Sequence, residues 1–296
     1  MGADVYRDRI VVGVDGSSGA RSALMWAVDE CQIRGRTLLI VHAPDLADAP
    51  FVASSGEPTI RALDDAGLRL LDAHSVAAST RQPGVPVTSL LSHSGPADAL
   101  VDLSLDADML VVGARGHNGF TSTVLGSVST RTAAHAHCPV VVVPQSTALR
   151  IAGSSLPIVV GASNTPAGRL AFEFALAEGQ RRSSVVIALM STTQDTDRPA
   201  DSGAVLPTDL QRIRGLYPEV QLVTSVVDAD PSEALLIAAR TAQLVVLGCH
   251  HSDDRWSTRL GPVAATVLHQ SPCPVVVVGA RRQTPTSPMR THLVVT

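Results

Sequence analysis

Short apolar runs alternate with longer stretches of helical periodicity along the first half of the chain. The runs are rich in Val, Ile and Leu, and they lie at 9–14, 37–43, 86–92, 108–113 and 139–143. Nearly continuous apolar runs of this length are typical of strands that are buried on both faces of a sheet. The pattern therefore predicts five buried strands.

A helical pattern separates the first two of these strands. Between Ser17 and Gly35, apolar residues recur at helical spacing, at Ala20, Ala23, Leu24, Ala27 and Cys31. Either Ser17 or Ser18 suits the N-cap position, and Gly35 suits the C-terminal stop. Alternation of strands with helices predicts a parallel sheet that carries helices on both faces.

The second half of the chain repeats the strand sequences of the first. The matching segments are 10–15 with 158–163, 87–89 with 223–225, 109–113 with 244–248, and 138–143 with 273–278. The offset is 148 residues at the first strand (158 minus 10) and 135 at the last (273 minus 138). The second copy is therefore shorter, and the loss lies between its second and third strands.

This repeat predicts an α/β protein with two tandem domains, at 1–147 and 155–282. The join at 145–157 is small, polar and weakly periodic, as expected for a linker. The final segment 283–296 contains two prolines and little apolar sequence, so it is expected to be a disordered tail.

Composition narrows the possible functions. All 23 Lys and Arg residues are arginine, which excludes a P-loop lysine and a Schiff-base lysine. The formal net charge of −4 argues against nucleic acid as the main partner. No apolar stretch reaches the ~18 residues of a membrane helix, and the first residues do not resemble a signal peptide. We expect a cytoplasmic protein with no membrane partner, whose four cysteines are free thiols.

Glycine and serine are concentrated after the fourth strand, where a parallel sheet binds its ligands. Gly113, Gly116 and Gly119 allow tight turns and close approach of the backbone to a ligand. The helix predicted to begin at 126–127 presents free N–H groups and a positive dipole end, which favour phosphate. Ser127 and Ser129 add hydroxyl groups.

The spacing of this segment resembles a known family. Gly113-x2-Gly116-x9-Gly126-Ser127 is similar to the ATP-binding pattern G-x2-G-x9-G-[S/T] of the universal stress protein family. The Val-Gly-Val-Asp-Gly-Ser segment at 12–17 is similar to the first strand and turn of that family. The resemblance covers about residues 8–280. It implies two tandem Rossmann-like (adenine nucleotide alpha hydrolase-like) domains, each a five-stranded parallel sheet with helices on both faces.

The resemblance also implies ATP as the ligand, with or without Mg²⁺, and assigns site residues. The adenine and ribose contacts fall on Gly13, Val14, Asp15 and the backbone of Val41. The ribose and phosphate contacts fall on Gly113, Ala114, Arg115, Gly116, Gly119, Gly126, Ser127, Val128 and Ser129. For Asp15, a purely structural role in the turn before the helix is the alternative. Arg115 is favoured over Arg131 as a phosphate ligand, and His42 is left as a ligand contact or a packing residue.

The second copy departs from the motif. Ser163 replaces Asp15, His251 replaces Gly116, and Pro262 replaces Ser127. Proline has no N–H to donate, so we expect weak or absent ATP binding in this half. A metal site at Cys249, His250, His251, Asp253 and Asp254 is disfavoured, because adjacent loop residues converge poorly on one ion.

These observations predict an ATP-binding stress-response or signalling module without catalytic residues. A slow ATPase or nucleotidyl-transfer enzyme and a nucleotide-free scaffold are the alternatives. The last strands, 140–143 and 275–278, have the pattern of sheet edges, which pair readily. The two halves are therefore expected to pair as an internal pseudo-dimer, and a homodimer of whole chains is left open.

Overall fold

Eleven strands form one sheet in the computed structural model, which describes residues 8–44, 59–116, 125–145, 155–192, 206–249, 260–279 and 294–295. The first half contributes β1 (Arg9–Gly13), β2 (Thr37–His42), β3 (Val87–Leu91), β4 (Met109–Gly113) and β5 (Val140–Val143). The second half contributes β6 (Ile158–Gly161), β7 (Val186–Ser191), β8 (Leu222–Val227), β9 (Leu244–Cys249) and β10 (Val275–Gly279), and β11 (Val294–Val295) lies near the end of the chain.

Helices connect these strands in both halves. The first half has α1 (Ser18–Arg34), α2 (Thr59–Arg81), α3 (Pro96–Leu103) and α4 (Ser127–His135). The second half has α5 (Pro166–Arg182), α6 (Thr208–Gly215), α7 (Pro231–Ala239) and α8 (Pro262–Gln270). The helix before β3 has 23 residues, whereas its counterpart before β8 has eight. This difference confirms that the second copy is shortened between its second and third strands.

The strand order is β11-β3-β2-β1-β4-β5-β10-β9-β6-β7-β8. Within each half the strands pair in parallel, for example β1 with β2 and with β4. The halves meet where β10 pairs antiparallel with β5, with Val276 opposite Val141. The predicted five-stranded parallel sheets and the pairing of the two halves through their last strands are therefore confirmed.

The apolar runs supply two cores, one on each face of the sheet. Successive strand residues point to opposite faces, so Ile10 and Val12 join one buried cluster while Val11 joins the other. Trp26 on α1 packs in the first cluster, as expected for a packing residue. Burial on both faces explains why the strand sequences are continuous rather than alternating.

Local signals set the bounds of α1 as predicted. The Ser17 hydroxyl accepts a hydrogen bond from the Ala20 amide at 3.1 Å and acts as the N-cap. Gly35 adopts φ +62° and donates its N–H to the Cys31 carbonyl. A left-handed residue after the last turn ends a helix at low cost when it is glycine.

The end of the chain differs from the predicted disordered tail. Val294 and Val295 form β11 and pair antiparallel with Leu91 and Leu90 of β3. The prediction is wrong for these two residues, because pairing with the edge strand β3 orders them. The rest of the 283–296 segment lies outside the described residues.

A buried set of ion pairs joins α1 to α5 beside the β5–β10 pairing. Glu30 bonds Arg34 at 2.5 Å and also bonds Arg182 across the two halves. Glu178 bonds Arg34 at 2.6 Å and Arg182 at 3.1 Å. Since 178 minus 30 and 182 minus 34 both equal 148, this Glu–Arg quartet consists of two copies of one helix motif. The halves therefore contact each other through equivalent residues.

Charge attraction in the Glu–Arg quartet outweighs the cost of burial for Glu178. Burial alone would raise the pKa of this carboxyl, but attraction from Arg34, Arg182 and Arg181 lowers it below its ordinary value. The Arg34 guanidinium also lies 5.6 Å from the centroid of the Phe174 ring. Glu178 therefore stays ionised inside the interface.

The four cysteines are free and buried, as expected. Burial, aided by the Glu30 carboxylate, raises the pKa of Cys31 to about 12, so its thiol stays protonated. Within the described ranges, none of the helices combines the length and the apolar character needed to cross a membrane.

Candidate functional site

The candidate site lies at the carboxyl ends of β1 and β4, which are neighbours in the sheet. In the sheet, β2 and β3 lie on one side of β1, and β4 and β5 lie on the other. The direction in which successive strands are added therefore reverses between β1 and β4. Ligands of open α/β sheets bind at such a reversal. Three segments named from the sequence meet there: the turn after β1, the loop after β4, and the first turn of α4.

Asp15 shapes the turn and also faces the glycine loop. Its Oδ1 accepts a hydrogen bond from the Ser17 amide at 3.0 Å, and Gly16 between them adopts φ +82°. Its Oδ2 lies 2.5 Å from the position that a Cβ on Gly116 would occupy. Asp15 therefore has the structural role in the turn that was its alternative reading, but through Oδ1 alone. Its Oδ2 lies at the candidate site.

Gly113 is required for packing rather than for a turn. A Cβ at Gly113 would lie 2.6 Å from the backbone of Gly19 at the start of α1. In the second half, a Cβ at Gly248 would lie 2.5 Å from the Ala167 carbonyl oxygen. Among the described glycines, positive φ occurs at Gly16 and Gly35 only, so tight turning at Gly113 and Gly116 is not observed. The close approach at Gly113 is common to both halves.

The first turn of α4 is held from the end of β4. Gly126 is its N-cap, and its amide donates to the Ala114 carbonyl at 2.9 Å. Among the described residues, no side chain caps α4 or its counterpart α8, whereas Ser17 caps α1 and Thr165 caps α5. The amides of the first helical turn have no acceptor within a helix, and they carry the positive end of its dipole. This end of α4 is suited to an anion.

The two serines of this turn differ in their surroundings. Ser127 is exposed, and Val128 beside it is half-buried. Ser129 is buried, and its hydroxyl donates to the Gly113 carbonyl at 2.6 Å. The Ser129 hydroxyl proton is thus engaged in holding α4 against β4. Phosphate contact by Ser129 stays a prediction that would require this bond to rearrange.

Arg115 and Arg131 are placed differently. Arg131 is exposed and pairs with Asp98. Arg115 lines a cavity of about 380 Å³ between the two halves, and no carboxylate among the described residues pairs with it. The arginine that was favoured as a phosphate ligand is therefore the one without a competing carboxylate.

Val41 and His42 fix the turn after β1. The Val14 amide donates to the Val41 carbonyl at 2.8 Å, and Val41 is buried. The His42 ring lies 2.8 Å from the Val14 carbonyl through Nδ1, which must therefore carry the proton. His42 is thus a backbone-holding residue in this structure, and adenine contact by the Val41 backbone stays a prediction.

A contact between the halves at this site has no signal in the motif. The Leu125 amide, just before the N-cap of α4, donates to Nδ1 of His269 at 3.1 Å. His269 lies in the last turn of α8 in the second half. A comparison of the two copies at the 135-residue offset would have marked this position, because His269 corresponds to Ala134.

The second half presents a different surface at the equivalent place. Pro262 is the first residue of α8, and it removes one amide from the helix end. Ala264 stands where Ser129 holds α4 in the first half. The Gly261 amide bonds the Cys249 sulfur, although burial of Cys249 still raises the pKa of its thiol. These differences agree with the departures noted in the sequence.

Several residues named in the sequence analysis cannot be placed. Gly119 lies outside the described residues, as do His250, His251, Asp253 and Asp254. Of the disfavoured metal set, the structure describes Cys249, which is buried.

Comparison with known sequences gives the same family for both halves. A sequence profile of the Universal stress protein family matches residues 7–144 and again residues 156–279. Universal stress protein Rv2623 of Mycobacterium tuberculosis is 30% identical over 282 residues, which cover 90% of this chain and 95% of that protein. Universal stress protein Mb2028c of Mycobacterium bovis is also 30% identical over 282 residues, covering 90% and 96% respectively.

Solved structures share the tandem fold. A universal stress protein from Archaeoglobus fulgidus superposes with a TM-score of 0.72 at 15% identity, covering 93% of this chain and 99% of that one. A functionally unknown protein, PA1789 from Pseudomonas aeruginosa, gives a TM-score of 0.59 at 14% identity and covers 93% of both chains. At these identities the likeness concerns the fold alone.

Proposed function

Since the chain belongs to the universal stress protein family, we propose that its first half binds one molecule of ATP and that the second half does not. The observation that supports this most is the amino end of α4, whose N-cap Gly126 lies against Gly116, the glycine that Asp15 Oδ2 faces. Backbone amides at a helix start bind phosphates without a lysine, and this chain contains none.

Each part of the nucleotide has a matching group in the first half. The amides of Ser127, Val128 and Ser129 suit the phosphates, and the Arg115 guanidinium suits an outer phosphate oxygen. The Asp15 Oδ2 faces the loop and suits a ribose hydroxyl. Mg²⁺ is commonly held by one or two carboxylates together with substrate phosphates, and Asp15 would hold it through Oδ2 in place of the ribose hydroxyl.

We propose a binding module rather than an enzyme. In this proposal ATP stabilises one conformation of the loop after β4, and that conformation is what a signalling partner recognises. The internal pairing of β5 with β10 already occupies the last strand of each half. A dimer of whole chains would therefore use other surfaces. The four buried thiols agree with a reducing compartment, which supports the expected cytoplasmic location.

The test begins with freshly purified protein. Denaturation followed by ion-exchange chromatography should release adenine nucleotide in a molar ratio that approaches one per chain. Stripped protein should then gain thermal stability with ATP, by about 2.7 kcal/mol at a ligand concentration of 100 Kd. Absence of both nucleotide and stabilisation would contradict the proposal and favour the nucleotide-free scaffold. Hydrolysis well above background that depends on Asp15 would favour the enzyme.

A further inference from the structure

One hydrogen bond ties the second half to the loop of the candidate site. The Leu125 amide of the first half donates to Nδ1 of His269 at 3.1 Å. A backbone amide can only donate, so Nδ1 must be the acceptor and cannot carry a proton in this arrangement. Leu125 is buried, and both residues line the cavity between the halves. The contact is therefore a hydrogen bond in which the His269 ring accepts from the backbone just before α4.

This bond belongs to a row of three that fixes the start of α4. Leu125 is held by His269, Gly126 by the Ala114 carbonyl, and Ser129 by the Gly113 carbonyl. The amides that follow Gly126 are the ones proposed to bind phosphate. Their direction depends on the path of the chain at 125–126, because a helix start is oriented by the residues that lead into it. His269 supplies the part of this support that the first half does not supply itself.

The reciprocal contact cannot form. At the 135-residue offset, Leu125 corresponds to Leu260, and His269 corresponds to Ala134. The Ala134 methyl group has no acceptor for the Leu260 amide. A histidine of the second half therefore holds the first half, and the equivalent position of the first half does not hold the second.

We propose that His269 is a positioning residue for the nucleotide loop of the first half. The second half, whose own helix start is altered by Pro262, holds the 125–129 segment of its neighbour in the shape that receives phosphate. This inference rests on the proposed ATP binding. One neutral hydrogen bond contributes modestly in net terms, so loss of the acceptor should weaken ATP binding about fivefold to tenfold.

Calorimetric titration with ATP on the full chain tests the proposal through three variants. His269→Ala should raise the Kd about fivefold to tenfold. His269→Asn should stay within about twofold of the wild type, because its Oδ1 can take the place of Nδ1 as acceptor. Gln270→Ala, a change at the exposed neighbour of His269 on α8, should leave the Kd unchanged. Equal Kd values for the wild type and His269→Ala would overturn the proposal, as would equal losses in His269→Ala and His269→Asn.

Hydrogen exchange without nucleotide separates this proposal from the proposed function. The amides of 125–129 should exchange faster in His269→Ala than in the wild type or in Gln270→Ala, while the amides of the central strands keep the same exchange rates in all three proteins. If the wild type fails to bind ATP, the proposed function is wrong, but hydrogen exchange still measures the contact between Leu125 and His269. Unchanged exchange in His269→Ala would overturn the positioning role whatever the protein binds.

Discussion

The starts of α4 and α8 occupy the same place in two copies of one fold, yet they offer different chemistry. In the first half, the helix start that follows Gly126 has an amide at Ser127 and lies against Gly116, which Asp15 Oδ2 faces. In the second half, Pro262 opens the helix and Ser163 replaces the carboxylate. The comparison separates what the fold requires from what a ligand requires. Features present in both copies support packing, and features present in one copy are candidates for binding.

The glycines illustrate this separation. Gly113 and Gly248 both lie against the backbone at the start of a helix, so both copies need them for close packing. Gly116 corresponds to His251, so the second copy does without it. Gly126 and Gly261 are both N-caps with ordinary backbone angles, which any residue can adopt. Gly116 and Asp15 are therefore the features of this set that distinguish the first half, whereas Gly113 and Gly126 have counterparts in the second.

The largest expected effect concerns the interface at which the halves are alike. Glu30→Ala or Glu178→Ala leaves two arginines of the Glu–Arg quartet without a full set of partners in a buried site. Each change should lower the free energy of unfolding by about 3–5 kcal/mol, as measured by urea denaturation. The effect of Glu178→Ala should exceed that of Glu30→Ala by at most about 1 kcal/mol, because Glu178 also bonds the partly exposed Arg181. A large effect for one glutamate and none for the other would contradict the equivalence of Glu30 and Glu178.

The same Glu–Arg quartet predicts a dependence of stability on pH. The pKa of Glu178 is lower in the folded chain than its ordinary value, because the attraction of the arginines outweighs burial. The stabilisation is therefore complete above the unfolded pKa and is lost as the pH falls through the folded pKa. Melting temperatures between pH 7 and pH 3 should decrease, and the decrease should be smaller in Glu178→Gln.

The next effect contrasts the two N-caps. A Cβ at Gly126 would lie 3.7 Å from the Gly116 amide nitrogen, so a valine side chain there fills the space proposed for phosphate. Gly126→Val should raise the Kd for ATP at least ~100-fold, or about 2.7 kcal/mol. Among the described residues, a Cβ at Gly261 would meet no atom within 4 Å, so Gly261→Val should leave the Kd unchanged. Loss of ATP binding in the Gly261 variant would assign the site to the other half.

A smaller effect tests the glycines that the halves share. Gly113→Ala and Gly248→Ala each place a Cβ within 2.6 Å of backbone atoms. Crowding in a packed region of this kind costs about 1–3 kcal/mol. Both variants should therefore lose similar amounts of stability in thermal unfolding without nucleotide. If Gly248→Ala were neutral, the close approach at Gly113 would be a property of the binding site rather than of the fold.

The smallest effect distinguishes two arginines of the first half. Arg115→Ala should weaken ATP binding about tenfold, which corresponds to about 1.4 kcal/mol, because no carboxylate among the described residues pairs with its guanidinium. Arg131→Ala should change the Kd less than about twofold, since Arg131 pairs with Asp98. Titration with ATP at low salt measures both. The reverse order would show that the phosphates extend toward α3 instead of toward the cavity.

Local sequence signals were sufficient for most of the fold. Five apolar runs located the strands of the first half, and Ser17 and Gly35 located the ends of α1, because these features depend on neighbouring residues. The repeat offset located the shortened connection, and the last strands indicated how the halves pair. Val294–Val295 was missed, since a two-residue strand exists through its partner β3 and has no signal of its own.

The candidate site was only partly predictable for the same reason. The spacing of the glycines indicated the three segments that meet, but it gave no direction for the Ser129 hydroxyl and no packing role for Gly113. His269 was missed because its contact with Leu125 crosses from one half to the other. Motif analysis within one half cannot find such a residue, whereas comparison of the two copies can.

Binding stoichiometry tests the central claim most directly. The account holds that the open start of α4 binds ATP and that the start of α8 does not. Isothermal titration of stripped full-length protein with ATP should give one site per chain, and Gly126→Val should abolish it. Two sites per chain, or no heat of binding at all, would contradict the account.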